Sequence, residues 1–307
     1  MAWNVHRPPR ADGTTVLVTG GNAGIGYFIA EQLAAAGATV VIGSRSPAKA
    51  VAAVDAITAR VPDARVRHIP LDLTDLASLK ASVSQMDTGA LDAVVLNAGI
   101  APDNPPRRQS RGGHELMLAT NHLGHFALVH RLEPWLKAAP AARIVTMGSF
   151  TARAQRLDLD DLQSVRDYDP KRTYERSKLA QVTFAFELDR RLRASGSTCM
   201  SVIAHPGGAL DSLTPARPGV HQRSGTRHLT ALPAKLLVQG KDAGAWAAVR
   251  ATLNPDVQGG QLWGARWFGL RGKPRLETPH SHMTDRSTGQ ALWEASVRLT
   301  HVDPFAA

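Results

Sequence analysis

Tyr174 and Lys178, in the run Tyr174-Glu175-Arg176-Ser177-Lys178, are the pair in this chain best suited to acid–base chemistry. The residues that follow, 179–192, carry a helical apolar pattern, and on a helix positions four apart share a face. The phenol and the ammonium then point into one space. A free phenol ionises near pH ~10, and a neighbouring ammonium favours the phenolate and lowers that value. A phenol so tuned can pass a proton to or from an alcohol or carbonyl oxygen. The same spacing occurs on many exposed helices, so its meaning depends on the rest of the chain.

A second chemical signal lies near the start. A strand, Thr15–Thr19, runs into Gly20-Gly21-Asn22-Ala23-Gly24-Ile25-Gly26, and an amphipathic helix over about 23–36 ends at Gly37. Strand, glycine turn and helix form a phosphate-binding arrangement, because glycines let the backbone approach a pyrophosphate and the helix start offers N–H groups and a positive dipole end. A strand at 38–43 ends in Gly43-Ser44-Arg45-Ser46. A carboxylate there would accept from ribose hydroxyls and disfavour a 2′-phosphate. None is present, and Arg45 with the Ser44 hydroxyl offers a charge-assisted contact to a 2′-phosphate. This favours NADP, with NAD as the lesser alternative; a surface arginine at a helix start is the plain reading.

These residues need elements to position them. Helix 47–60 precedes a strand at 65–71, which leads into Asp72-Leu73. Asp72 is placed to accept from an adenine amino group or to cap the helix that starts near Asp75. A buried-looking strand at 91–96 ends in Asn97-Ala98-Gly99, small residues that let a cofactor pass close to the sheet edge. Residues 101–113, rich in proline and arginine, read as a loop, and the long helix after it holds Asn121-His122-Leu123-Gly124-His125. Strands at 142–147 and 198–204 end at Gly148-Ser149 and at His205-Pro206-Gly207-Gly208. Strands and helices alternate, and the strands are nearly continuous apolar runs. That pattern specifies an α/β fold: a doubly wound, Rossmann-type parallel sheet of about seven strands with helices on both faces. Ligands of such sheets lie beyond the carboxyl ends of the strands, and Gly20–Gly26, Arg45, Asp72, Asn97, Ser149 and Pro206 all fall there.

Composition narrows the classes. The chain has 307 residues, 43% of them hydrophobic, enough for a sizeable core. It has no apolar run of about 18 residues, so no membrane span is expected, and its first 15 residues lack the apolar segment of a signal peptide. A single cysteine, Cys199, forms no intrachain disulfide, fits a reducing cytoplasm, and reads as a buried strand residue. The formal charge is +10, from 36 Lys+Arg against 26 Asp+Glu. The basic residues are scattered, without interleaved aromatics, so nucleic acid is not an expected partner. No His/Cys/Asp cluster has metal-ligand spacing, and Ser149 is not in the Gly-x-Ser-x-Gly turn of an α/β-hydrolase.

Together these motifs resemble the short-chain dehydrogenase/reductase family. Thr19-Gly20-x3-Gly24-Ile25-Gly26, Asn97-Ala98-Gly99, Asn121, Ser149, Tyr174-x3-Lys178 and Pro206-Gly207 stand in the family's order across about residues 14–208. The branch most similar is the retinol-dehydrogenase and protochlorophyllide-reductase-like group. Its marks here are the run Asn121 to Phe126, the long interval from Ser149 to Tyr174, Tyr174 to Ala180, His205-Pro206-Gly207, the closing run Ala291 to Ser296, and a leader with Trp3 and Pro8.

The resemblance implies one domain over 1–307, with a leader at 1–14, a substrate lid at 208–237 and a C-terminal extension at 264–307. It also implies roles. Tyr174 is the general acid in reduction and general base in oxidation. Lys178 lowers the Tyr174 pKa and holds the nicotinamide ribose. Ser149 bonds the substrate oxygen, and Asn121 anchors a water leading from Lys178 to solvent. Gly20, Asn22, Gly24, Ile25 and Gly26 carry the pyrophosphate turn. Ser44, Arg45, Asp72, Leu73, Asn97, Ala98 and Gly99 form the adenosine side, and Pro206 and Gly207 the nicotinamide pocket. Activity on a small-molecule carbonyl or alcohol follows, and a homo-oligomer is left open. One departure stands out: where the family has Thr four residues after the glycine of Pro-Gly, this chain has Asp211, a carboxylate facing a polyanionic cofactor, unless Ser212 or Thr214 takes its place or Asp211 points to solvent.

Other expectations concern the variable end. Arg217, Arg223, Arg227 and Lys235 make 208–237 basic, which suits a substrate with an acidic or polar end as well as it suits a solvated loop. A helix over 241–253, a seventh strand at 260–263, little regular pattern over 266–286, and a closing helix at 288–299 complete the chain. Trp263, Trp267 and Phe268 read as core or pocket edge, and His122 as structural. A catalytically silent nucleotide-binding regulator on the same fold is the competing class; the intact Asn121, Ser149, Tyr174 and Lys178 set weighs against it. An epimerase of the family's extended branch would carry a different glycine spacing.

Overall fold

Eight strands form one sheet in the computed structural model of the chain, which describes residues 3–102, 106–222 and 236–306. The strands are β1 (Thr15–Thr19), β2 (Thr39–Ser44), β3 (Arg65–Pro70), β4 (Ala93–Leu96), β5 (Arg143–Met147), β6 (Met200–Ala204), β7 (Leu262–Trp267) and β8 (Arg271–Glu277). Their order is β3-β2-β1-β4-β5-β6-β7-β8, parallel except for the β7–β8 pair. Val16 pairs with Val40 on one side and with Ala93 on the other, which fixes the register at the centre. The chain winds outward from β1 to β3, then crosses back to β4 beside β1. That reversal opens a crevice above the carboxyl ends of β1 and β4.

Alternation along each strand divides the core between the two faces. Leu17, Val41, Val94 and Ile144 join one cluster, which includes Phe126, Phe184, Leu188 and Trp293. Val16, Val18, Val40, Ile42, Val95 and Val145 join the other, with Phe28, Ile29, Leu33 and Val249. Fully burying side chains of this size contributes ~1.5–3 kcal/mol each before ordering costs. The first face is covered by α5 (Gly124–Ala138), α6 (Pro170–Ala194) and α10 (Arg286–Thr300). The second is covered by α1 (Gly24–Ala35), α2 (Pro47–Arg60) and α8 (Trp246–Leu253). Shorter helices are α3 (Leu79–Val83), α4 (Leu116–Leu118), α7 (Lys241–Gly244) and α9 (Ser281–Thr284). The leader packs on the second face through Trp3, and Ala11 donates its N–H to the Ala36 carbonyl at 2.8 Å. Cys199 is buried just before β6, its thiol against the Leu136 carbonyl.

Two expectations are corrected here. The region 266–286 holds β8, an eighth strand that is hard to read because its sequence, Arg-Gly-Lys-Pro-Arg-Leu-Glu, is polar and contains Pro274. An edge strand tolerates both features, since only one side needs ladder hydrogen bonds. Trp263 is buried as expected, but Trp267 and Phe268, at the β7–β8 turn, are 57% and 79% exposed. Among the described residues no helix is long and apolar enough to cross a membrane.

Candidate active site

The glycine turn after β1 is shaped by close approach. Gly20 has φ +67° and donates its N–H to the Gly43 carbonyl at 2.7 Å. A methyl group on Gly26 would collide with the Gly20 carbonyl and the Asn97 side-chain amide, so neither position tolerates a larger residue. Gly24, at φ +57°, is different: a Cβ there would meet nothing nearer than Lys241 Nζ at 3.9 Å. Ala23 caps α1 without a side-chain acceptor, which leaves the first N–H groups of the helix facing the crevice. Thr19 ties this turn to β4. Its hydroxyl oxygen accepts from the N–H groups of Asn97 and Ala98, each at 2.9 Å, and its carbonyl accepts from Asn97 Nδ2 at 2.9 Å.

At the end of β2, Ser44 is buried and its hydroxyl has no hydrogen-bond partner. A buried unpaired hydroxyl costs ~1–3 kcal/mol, so its retention at a cleft wall points to a ligand. Arg45 and Lys49 are exposed beside it, and Ser46 caps α2 by accepting from the Lys49 N–H. Asp72 lines the cleft and accepts from the N–H and hydroxyl of Thr74, at 2.9 and 2.7 Å. The cap of the following helical turn is Asp75 rather than Asp72.

The other wall is built by α6 and by a turn of π-helix, Ala119–Leu123, inserted between α4 and α5. Asp169 caps α6 by accepting from the Arg172 N–H at 2.6 Å, and Pro170 starts it. Tyr174 is thereby placed one turn into the helix and Lys178 two turns in, both on the cleft. The π turn swings Asn121 into the cleft wall, a placement typical of π-bulges. Its side chain accepts from the Ile100 N–H at 2.9 Å and donates to Ser177 Oγ at 2.9 Å, while the Ser177 hydroxyl donates to the Tyr174 carbonyl at 2.7 Å. Asn121 thus braces β4's loop against the Tyr174 turn. Ser149, after β5, faces Tyr174, lies 2.9 Å from the Thr151 hydroxyl and accepts from the Thr151 N–H at 3.2 Å.

The electrostatics differ from the sequence-based expectation. Lys178 does not lower the Tyr174 pKa in this structure. Burial pushes the phenol above its ordinary value, partly opposed by the Ser149 hydrogen bond, and Glu175 adds to the rise. Lys178 is itself buried, which lowers its ammonium to about 7. It donates to the Met147 carbonyl at 2.5 Å and to Gln181 Oε1. With the ammonium turned into the protein and half discharged at neutral pH, desolvation decides the state of both groups.

A buried polar chain continues inward. Gln181 also donates to the Leu96 carbonyl at 3.2 Å. His125 meets the Asn121 carbonyl through Nδ1 at 3.1 Å and the Thr19 hydroxyl through Nε2 at 3.0 Å. Burial holds His125 neutral, with a pKa of about 3, and does the same to His122, whose Nε2 meets the Ser296 hydroxyl at 2.7 Å. His122 therefore stays outside the site.

One cleft of about 600 Å³ gathers Gly20, Asn22, Gly24, Ile25, Gly26, Ser44, Arg45, Asp72, Leu73, Asn97, Ala98, Gly99, Asn121, Ser149, Tyr174, Lys178 and Pro206. Gly207 is not on its wall: with φ +68° it turns toward the Leu270 carbonyl, where a Cβ would collide. Lys49 and Lys241 line the cleft and were missed, because a single lysine within a helical pattern carries no motif. Gln181, three residues after Lys178, was legible only as a polar residue on an apolar helix face. Asp211 does not stand unpaired; Lys241 Nζ lies 2.5 Å from it and His221 3.7 Å. Thr214 does not take its place, since it is buried and its hydroxyl donates to the Leu210 carbonyl. Arg217 is no substrate contact: it is buried and makes two bonds, 2.6 and 2.8 Å, to Glu31 on α1. Arg223, Arg227 and Lys235 lie outside the described residues.

The profile of the family described as short chain dehydrogenase matches residues 14–159. Polyprenol dehydrogenase of Homo sapiens is 33% identical over 302 residues, covering 96% of this chain and 87% of the relative. Retinol dehydrogenase 13 of Homo sapiens is 31% identical, covering 95% and 86%. A solved structure of an uncharacterized protein from Mycobacterium paratuberculosis is 32% identical, covers 100% of both chains and superposes with a TM-score of 0.80.

Proposed function

The chain belongs to the short-chain dehydrogenase/reductase family, an NAD(P)-dependent oxidoreductase acting on CH–OH and C=O groups, and from that premise we propose that it prefers NADP(H) and transfers protons through Tyr174. The observation that carries the reading is the convergence of the glycine turn, Arg45 and the Ser149–Tyr174–Lys178 group on one cleft. The chain fits a dinucleotide. The uncapped start of α1 and the open side of Gly24 suit a diphosphate, and the buried, unpartnered Ser44 hydroxyl beside Arg45 suits a 2′-phosphate. Asp72, Leu73, Asn97, Ala98 and Gly99 would flank the adenosine side, and Lys178 and Pro206 the nicotinamide side. When bound, the nicotinamide supplies or takes up the hydride.

The residues then divide the proton work. Burial keeps the Tyr174 phenol protonated at neutral pH, so it can donate to a carbonyl oxygen that is gaining hydride. In oxidation the phenolate form of the same group receives the alcohol proton. Ser149 Oγ, facing Tyr174, donates a second hydrogen bond to the reacting oxygen and stabilises the charge that develops there. Lys178, on the same cleft with a pKa of about 7, exchanges protons readily near neutrality. The catalytically silent alternative is not favoured, because these groups are all present and oriented to one cleft. The names of the relatives, polyprenol and retinol dehydrogenase, support an apolar primary or secondary alcohol as substrate, and the inward-facing Arg217 withdraws one argument for an acidic one. We take the chain as one catalytic domain whose described residues 208–222 and 236–237 border the substrate; residues 223–235 of the expected lid lie outside the described residues.

Fluorescence titration of the purified protein with NADPH and with NADH tests the reading. Much tighter binding of NADPH, followed by its oxidation when apolar aldehydes are added, is expected. Binding of neither nucleotide would overturn it.

A further inference from the structure

Lys241 stands over the glycine turn without belonging to any motif of the chain. Its Nζ is 3.9 Å from the point where a Cβ on Gly24 would sit, and it lines the same cleft as Arg45, Lys49 and Lys178. Its position is fixed twice by one loop. The Lys241 N–H donates to Thr214 Oγ1 at 3.0 Å, and Nζ lies 2.5 Å from Asp211 Oδ1. That loop is itself closed by the Thr214 hydroxyl on the Leu210 carbonyl at 2.7 Å. Gly240 lacks a side chain where a Cβ would come within 2.7 Å of the Leu213 carbonyl, so the approach of Lys241 to the loop is built in.

Asp211 and Lys241 are unequally placed. The Asp211 side chain is 67% exposed, and its other neighbour, His221, is 3.7 Å away; the Lys241 side chain is 24% exposed. An ion pair with one such open partner is held weakly. A diphosphate at the glycine turn carries about two charges against the single charge of the carboxylate, and attraction to Lys241 scales with that charge. Asp211, once left, stays hydrated and loses little.

We propose that Lys241 is a diphosphate-binding residue of this chain, that Asp211 competes for its ammonium, and that this exchange of partners links the loop 210–214 to occupancy of the cleft. The inference rests on the cleft being a dinucleotide site. It accounts for a carboxylate at 211 beside a polyanion: Asp211 is paired with Lys241 when the cleft is empty and gives it up to the diphosphate.

The test is an equilibrium titration of wild type, Lys241→Met and Asp211→Asn with NADPH and with adenosine 2′-monophosphate, which lacks the diphosphate. Loss of one charge-assisted contact should weaken NADPH binding by Lys241→Met about 10-fold or more. Binding of adenosine 2′-monophosphate should change less than about 2-fold, and the variant's affinity should fall less steeply with salt. Removing the competitor in Asp211→Asn should tighten NADPH by about 3-fold. Hydrogen exchange at the Leu213 and Thr214 amides should respond to NADPH in wild type and not in Asp211→Asn. Equal NADPH affinity of wild type and Lys241→Met, or weaker binding by Asp211→Asn, would overturn the proposal while leaving the dinucleotide site standing. Failure of the wild type itself to bind NADPH would remove both.

Discussion

Lys178→Met removes an ammonium whose pKa burial has lowered from 10.5 to about 7. Below about pH 7 the group is protonated in both folded and unfolded chains, and folding bears the whole cost of burying the charge. Between about 7 and 10.5 the unfolded chain binds more protons, so the stability of the wild type rises with pH through that window. At ~1.4 kcal/mol per pH unit, the full penalty is roughly 5 kcal/mol, and about 3 kcal/mol of it is relieved between about pH 6 and about pH 9.5. The variant has no such group. It leaves the Met147 carbonyl and Gln181 Oε1 without their donor, which costs stability at every pH and adds no slope. Urea unfolding of both proteins, without nucleotide, at several pH values isolates the effect. The wild type should gain roughly 3 kcal/mol on the variant from the acid to the alkaline end. A difference that stays flat within about 1 kcal/mol would mean that Lys178 titrates as an ordinary lysine and that the proton-exchange role given to it is wrong.

Arg45→Asp should weaken NADPH binding by about 10-fold or more while changing NADH binding little, because it replaces a partner of the 2′-phosphate with a repelling charge; parallel titrations decide, and equal weakening of both would make Arg45 structural. Arg217→Met strands Glu31, which is buried and among the described residues then keeps Tyr27 at 2.9 Å and Arg60 at 3.4 Å. It should lower stability by about 3 kcal/mol, measured by urea unfolding, and adding Glu31→Gln should restore part of it; no loss in the single variant would show that the pair does not anchor the segment.

The parts of this protein that were legible in its sequence are those set by local pattern. The parallel strands other than β3 are largely apolar runs, and the strand ends carry distinctive residues: glycines after β1, Ser44-Arg45 after β2, Asn97-Ala98-Gly99 after β4, Ser149 after β5. Because the fold puts all strand ends of a parallel sheet on one edge, their grouping followed without coordinates. What was not legible depends on burial and on distant partners. β8 shows no apolar run because it lies at the sheet edge. Arg217 counts as a basic lid residue in one dimension and is an internal partner of α1 in three. The Tyr174–Lys178 pair has the spacing of two groups that tune one another, yet their pKa values are set by desolvation that only the packed helix creates. Lys241 is separated by 30 residues from Asp211, so the pairing that resolves the unusual carboxylate is invisible until the loop and α7 meet.

Turnover and cofactor affinity of Tyr174→Phe test the central claim most directly. NADPH consumption with an apolar aldehyde and NADPH binding by fluorescence should be measured on the same preparation as wild type. Loss of the phenolic proton should reduce turnover by about 100-fold to 10,000-fold, with the dissociation constant for NADPH changed by less than about 3-fold. Turnover at the wild-type rate in this variant would show that the proton comes from elsewhere and contradict the mechanism.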